Sequence, residues 1–258
     1  MPQTKIVFFD IDGTLIDMQA KKITPKMLET LHRLQDRGIK ICIATGRSPM
    51  VLPKIDGVAF DAYLTFNGSL CYDRKGVIFS NPIPHKDVVR FIQNAAALGR
   101  PVCVSTRGRL AANGTDTDLT DYFLIANEPV PVADDFDAVC AEDIYQLMLG
   151  CRPKDYPALL DGAPGAKIAA WWDRAVDVIP AGGGKGIGIE KMLAYYGLDK
   201  AEALAFGDGN NDREMLQAVG TGVAMENGSP ELKALADEIC GPVYEDGIYH
   251  YCADKGLI

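Results

Sequence analysis

The apolar run Ile6-Val7-Phe8-Phe9, followed at once by Asp10-Ile11-Asp12-Gly13-Thr14-Leu15, constrains this chain more than any other segment. Consecutive apolar β-formers bounded by an Asp-Gly turn describe a strand buried on both faces, as central parallel strands are. Open α/β sheets bind ligands beyond the carboxyl ends of such strands, which is where the two acids stand. Unit charges about 4 Å apart repel by roughly 4 kcal/mol at an effective dielectric of about 20, so a cation must compensate if both ionise. A hard divalent ion suits them. Mg²⁺ takes one or two carboxylates together with water and substrate phosphate, and the segment has no thiolate or imidazole to favour zinc. An EF-hand loop is excluded, because Leu15 and Lys21 occupy the places of its glycine and its closing glutamate. Taken alone, Asp-x-Asp-Gly is equally a solvated turn; the rest of the chain must decide.

The same grammar of strand and polar turn recurs. Thr24-Pro25 supplies an N-cap and a first-turn proline, Met27, Leu28, Leu31 and Leu34 form an apolar stripe, and Gly38 stops the helix. A strand over 39–44 then ends at Thr45-Gly46-Arg47, and one over 62–66 ends at Asn67-Gly68. After Tyr72 the texture changes, with a hairpin turn at 73–76 and a connector marked by Pro82 and Pro84. The following segment reads as α+β: a helix over 87–98, a strand over 102–105, a turn at Asn113-Gly114, an irregular acidic stretch around Asp134, Asp135 and Asp137, and strands over 145–149 and 167–172 with a helix between. From Pro180 the βαβ pattern resumes, with a helix over 186–196 stopped by Gly197, a strand over 203–206 ending at Gly207-Asp208-Gly209, a short helix over 210–219, a strand over 222–225 and a helix capped by Ser229-Pro230. The expected fold class is therefore α/β, a doubly wound, mainly parallel, Rossmann-type core over 1–81 and 180–258, with an inserted α+β unit over 82–179.

Composition narrows the function classes. A chain of 258 residues with 48% hydrophobic and 24% charged content is ordinary for a globular protein. The start carries no charged-then-apolar leader and no apolar stretch approaches the roughly 20 residues that span a bilayer, so a cytoplasmic address is expected. The net charge of −9 speaks against nucleic acid or an anionic membrane as partner, and makes local cations necessary for an anionic substrate. The 7 cysteines are odd in number, scattered and never spaced as Cys-x-x-Cys, which favours reduced core residues over disulfides or zinc. Asn67-Gly68-Ser69, Asn113-Gly114-Thr115 and Asn227-Gly228-Ser229 match a glycosylation sequon but read as turns. Gly182-Gly183-Gly184-Lys185 is no nucleotide P-loop, since Gly186 replaces its Ser or Thr and Ile179 its first glycine. His32, His85 and His250 lack metal-ligand spacing and are read as surface or packing residues.

Taken in order, Asp10-x-Asp12-Gly13-Thr14, Thr45-Gly46-Arg47, Lys185 and Gly207-Asp208-Gly209-Asn210-Asn211-Asp212 resemble the motifs of the haloacid dehalogenase superfamily of phosphohydrolases. Residues 222–228, Ala236-Asp237 and Glu245-Asp246-Gly247 further resemble its Cof-type subgroup, the type IIB sugar phosphatases. The resemblance implies a Mg²⁺-dependent phosphatase acting on a small phosphate ester, with no nucleic acid or membrane partner; it leaves the oligomeric state open. Asp10 would be the nucleophile that forms an aspartyl-phosphate, and Asp12 would protonate the leaving alkoxide and then deprotonate the attacking water. The Asp10 carboxylate, the Asp12 backbone carbonyl and the Asp208 carboxylate would hold the metal. Thr45, the Gly46 amide, Lys185 and Asn211 would bind the phosphate oxygens; Asp212 would orient metal waters or Lys185, and Arg47 would place the loop or the substrate. The insert, as a type II cap, would close over the crevice and select the leaving group. Its Arg107, Arg109, Trp171 and Trp172 are either sugar-pocket residues or ordinary strand residues. A phosphomutase sharing the aspartyl-phosphate step, and a non-catalytic sugar-phosphate sensor, are the alternative functions.

Overall fold

In the computed structural model, residues 3–125, 127–170 and 172–258 are described, and the chain divides into two compact units: 1–47, 53–80 and 184–258 form one, 48–52 and 81–183 the other. In chain order the first unit begins with β1 (Ile6–Phe9), α1 (Pro25–Asp36), β2 (Lys40–Ala44), β3 (Ala62–Thr65), β4 (Leu70–Asp73) and β5 (Gly76–Ser80). The second unit carries α2 (His85–Ala97), β6 (Cys103–Ser105), β7 (Leu110–Ala112), α3 (Thr117–Ile125), α4 (Phe136–Val139), β8 (Gln146–Gly150), α5 (Tyr156–Leu160), β9 (Ala166–Ala169) and β10 (Ala175–Pro180). The chain then returns to the first unit with α6 (Lys185–Tyr196), β11 (Ala203–Gly207), α7 (Arg213–Ala218), β12 (Thr221–Met225), α8 (Pro230–Lys233), β13 (Glu238–Cys240) and α9 (Gly247–Asp254).

The first unit is built on an 8-stranded sheet of order β13-β12-β11-β1-β2-β3-β4-β5. Its pairings from β13 to β3 are parallel, and β3, β4 and β5 form an antiparallel meander at one side. β1 lies at the centre with every side chain buried, which is what its unbroken apolar sequence requires. Ile6 and Phe8 pack into a core with Ile189, Met192 and Leu193 of α6 and Met215 and Leu216 of α7. Phe9 stacks on Phe206 at 5.5 Å, and Phe206 meets the ring edge of Tyr251 in α9 at 5.3 Å. Helices thus cover both faces, and the doubly wound architecture expected from the sequence is the one found.

Local signals explain the helix boundaries. Thr24 caps α1 by accepting the Met27 N–H at 3.1 Å, Pro25 occupies the first turn, and Gly38 adopts φ +74° just past the end. Gly197 closes α6 in a left-handed conformation, and Ser229 caps α8 by accepting the Leu232 N–H. The cysteines are all free and buried, and no helix among the described residues is long and apolar enough to cross a membrane.

The second unit is a 5-stranded antiparallel sheet of order β7-β6-β8-β10-β9 with helices packed on it. Its core joins Val88 and Phe91 of α2 to Val104, Leu147, Leu149, Val176 and Val178 of the strands. Asp118 at the start of α3 receives Arg100 at 3.2 Å, Arg152 at 3.0 Å and Arg174 at 2.9 Å. Hydrogen bonding from Arg152, with Arg174 beside it, holds the Asp118 carboxyl below its ordinary range. The strand expected over 167–172 ends at Ala169, and Trp171 lies outside the described residues. Trp172 carries the Arg174 guanidinium over its ring at 5.1 Å, and Arg109 is held by Asp135 at 2.5 Å.

Candidate active site

β1 delivers Asp10 to the carboxyl edge of the sheet, where its N–H continues the parallel ladder to the Phe206 carbonyl at 3.0 Å. The chain then turns tightly. Leu15 and Ile16 both donate to the Ile11 carbonyl, and Gly13 donates to the Ile16 carbonyl at 2.9 Å. Gly13 has φ +84°, and a Cβ there would collide with the Asp208 carboxylate, so only glycine lets the turn and the β11 edge approach. Thr14 then donates its hydroxyl to Asp208 at 2.9 Å.

Lys185, the first residue of α6, is 1% exposed and projects between two acids, reaching Asp10 at 2.7 Å and Asp212 at 2.5 Å. The far oxygen of Asp212 accepts the N–H groups of Asp208 and Gly209, each at 3.0 Å, so this carboxylate braces the turn that carries Asp208. Asp10, Asp208 and Asp212 each offer an oxygen within 4.8 Å of the others. Burial, reinforced by Asp212 and Asp208 against the pull of Lys185, raises the Asp10 carboxyl well above its ordinary range. Burial and Asp212 push Asp208 up to about 7. For Lys185 burial opposes the charge, but Asp10 and Asp212 outweigh it and the ammonium is held more firmly than an ordinary lysine.

The loop after β2 completes the group. Arg47 grips Asp12 with both branches of its guanidinium, Nε at 2.8 Å and a terminal nitrogen at 2.6 Å, and this pairing raises the Arg47 pKa. Thr45 accepts the Arg47 N–H on its hydroxyl at 3.1 Å. Asn211 is exposed on the turn after β11 and donates to Asn67 at 3.4 Å, while Gly46 lies against the Asn67 carboxamide. Asp10, Asp12, Thr45, Gly46, Lys185, Asp208, Asn211 and Asp212 therefore all stand at the carboxyl ends of β1, β2 and β11 or at the adjoining start of α6. The Asp12 carboxylate lies outside the acidic trio and faces Arg47.

Two contributors escaped the sequence reading. In the sequence Asn67-Gly68 and Asn227-Gly228 both read as turns, Asn227 also within the Cof-type motif. Asn227 donates to the Gly13 carbonyl at 2.8 Å and accepts the Val243 N–H at 2.9 Å, which ties the turn after β1 to the segment before α9. Asp246 accepts the Thr24 hydroxyl at 2.5 Å, so the Glu245-Asp246-Gly247 motif anchors the start of α1. No periodicity marks such residues; only the ends they join do.

Two buried carboxylates on one ammonium, with a third, half-buried, beside them where a parallel sheet opens, define an α/β protein organised on an acidic, cation-demanding centre. The family model for haloacid dehalogenase-like hydrolases matches residues 7–252. YkrA of Bacillus subtilis (strain 168) is 34% identical over 265 residues, covering 99% of both chains. Among solved structures, the HAD superfamily phosphatase BT1666 of Bacteroides thetaiotaomicron is 30% identical, with a TM-score of 0.92 over 99% of this chain and 96% of its own. The HAD subclass IIB sugar phosphatase BT4131 is 28% identical, with a TM-score of 0.88 over 99% and 100%. The chain belongs to the haloacid dehalogenase-like hydrolases, in their Cof-type branch, and is a phosphatase of that superfamily.

Proposed function

We propose that this phosphatase hydrolyses a small phosphorylated metabolite, a sugar phosphate foremost, through a phospho-aspartate at Asp10 and with Mg²⁺ as cofactor. The observation that carries the reading is the trio Asp10, Asp208 and Asp212 with its single buried lysine. Fully ionised, the group leaves two negative charges unbalanced, and its donors are all hard oxygens, which fits a magnesium ion rather than a thiolate-loving metal. Asp10 and Asp208, with the Asp12 carbonyl, would hold that ion, which when bound supplies charge neutralisation at the phosphoryl oxygens.

The side chains have separable tasks. An Asp10 oxygen attacks phosphorus, the ester P–O bond breaks, and Asp12 gives its proton to the departing alkoxide. Water then attacks the same phosphorus, Asp12 takes back a proton, the aspartyl P–O bond breaks, and inorganic phosphate leaves. Lys185, Thr45, the Gly46 N–H and Asn211 would receive the remaining phosphoryl oxygens, where positioning and charge stabilisation carry most of the rate. Arg47 fixes the direction in which the Asp12 carboxylate points. Choice of leaving group falls, in this reading, to the inserted segment 82–179.

Phosphate release should be measured over a panel of phosphorylated sugars, nucleotides and cofactors, with Mg²⁺ and with a chelator. Turnover of at least one sugar phosphate, lost with chelator, is the expected result. Isomerised sugar phosphate in place of free phosphate would identify a mutase instead, and tight binding without turnover a sensor.

A second expectation concerns stability. Asp208 keeps a proton in the folded state up to pH about 7, whereas an ordinary carboxyl near 3.8 has already released it. The folded chain therefore binds more protons across this window, and its stability falls as pH rises through it. Chelator-treated protein should melt higher near pH 5.5 than near pH 8, and Mg²⁺ should recover the loss at the upper end. Calorimetry showing a flat or rising melting temperature would contradict the crowded-carboxylate account.

A further inference from the structure

Resting on the phosphatase reading above, we infer that Asn67 is a positioning residue for phosphate recognition, holding Asn211 and the Gly46 loop. The backbone first draws attention to it. Phe66, Asn67 and Gly68 adopt φ of 51°, 52° and 84° in succession, and Phe66 and Asn67 are 0% and 4% exposed. Left-handed conformations cost non-glycine residues energy, and for a buried phenylalanine the conformation is a genuine outlier. Such strain persists only where surrounding structure over-determines it.

The constraint is visible. Phe66 donates its N–H to the Arg47 carbonyl and Asn67 to the Thr45 carbonyl, both at 3.0 Å, so the loop after β3 is sewn to the loop after β2 on either side of Gly46. Gly68 cannot be replaced at this approach, because a Cβ there would lie 2.5 Å from the Gly184 carbonyl oxygen, immediately before Lys185. The conformation thus brings one carboxamide to a single place. Asn67 Oδ1 accepts from Asn211 Nδ2 at 3.4 Å, and a Cβ at Gly46 would stand 3.2 Å from both Asn67 Oδ1 and Nδ2. Two residues proposed to bind phosphate, Gly46 and Asn211, therefore abut the same buried side chain although they are far apart in the sequence.

A role confined to the turn and a role in positioning predict opposite outcomes for Asn67→Gly. Glycine enters the left-handed region freely, so the substitution relieves backbone cost while deleting the carboxamide. The melting temperature should hold or rise. With p-nitrophenyl phosphate, kcat/KM should fall about tenfold, the size of one hydrogen bond to a charged group. Protection of the protein against heat by inorganic phosphate should weaken by a similar factor. Because the effect is transmitted through Asn211, Asn67→Gly added to Asn211→Ala should lower activity by less than about twofold further, a non-additivity expected of contacting residues.

If Asn67→Gly folds poorly, Asn67→Asp keeps the shape and tolerates positive φ, and its carboxylate beside the phosphate should weaken phosphate protection at least as much. Wild-type kcat/KM and phosphate protection in a folded Asn67 variant, or full additivity with Asn211→Ala, would overturn the inference. Wild-type protein assayed in parallel separates this from failure of the parent reading. If it releases no phosphate from any ester, the proposed function falls; if it turns over and the variants match it, only the role of Asn67 does.

Discussion

Asp10→Asn should reduce phosphate release by about 10⁴-fold or more, the scale seen when a covalent nucleophile is removed from an otherwise intact site. The amide is isosteric and its oxygen can still accept from Lys185 Nζ, now 2.7 Å from Asp10, so the local packing has no reason to change. What disappears is the anionic oxygen that the proposed mechanism needs to attack phosphorus. The substitution also removes a carboxylate that burial, Asp212 and Asp208 all penalise when ionised, so the variant should melt no lower than the wild type at pH about 8. Loss of turnover with preserved folding separates a chemical role from a structural one. Acid quenching with a radiolabelled phosphate ester gives the decisive measurement: label retained on wild-type protein and none on Asp10→Asn. Wild-type-like turnover by the variant would remove Asp10 from the mechanism.

Much of this site is legible in the sequence because each motif sits at a strand end, and a strand end is fixed by local pattern. Ile6-Val7-Phe8-Phe9 can only be a buried strand, so Asp10 must emerge at its tip; 203–206 places Asp208 likewise. The parallel register that sets these two tips side by side, Phe9 opposite Phe206, joins distant parts of the chain and is implied in the sequence only by the family resemblance of the ordered motifs. Asn67 and Asn227 were hidden for the complementary reason. Their side chains act across 144 and 214 positions, and asparagine before glycine already has a sufficient local explanation as a turn. In the insert, β10 escapes pattern reading because Asp177 interrupts its apolar run and Pro180 closes it, although Asp177 is buried and accepts the Tyr122 hydroxyl at 2.6 Å. α3 was missed because a helix carrying Asp118 and Asp121 reads as a polar loop until the arginines that neutralise them, from β8 and β10 flanks, are brought in.

Lys185→Met tests the other half of the site, its charge balance. The ammonium is fully enclosed and touches both Asp10 and Asp212, and methionine fills nearly the same volume without charge. Breaking a buried pair by removing one partner typically costs about 3–5 kcal/mol, because the remaining charge is left without compensation. Here the loss should fall toward the lower end of that range, since Asp212 keeps the N–H groups of Asp208 and Gly209, and Asp10 can take up a proton. That escape has a consequence for chemistry. A protonated Asp10 is no nucleophile, and the phosphoryl oxygens lose a preorganised cation, so kcat should drop on the order of 10²–10³. Both effects depend on pH in a known direction. Without Lys185 the acids hold their protons more strongly, so the folded state gains protons relative to the unfolded one, and the stability deficit against wild type should shrink as pH falls from about 8 toward 5.5. Melting curves at the two pH values, read beside turnover at neutral pH, distinguish this from simple loss of packing, which would lower stability equally at both. A variant that melts like wild type at pH about 8 and keeps its rate within about threefold would mean that the buried ammonium balances no charge that the phosphoryl transfer needs.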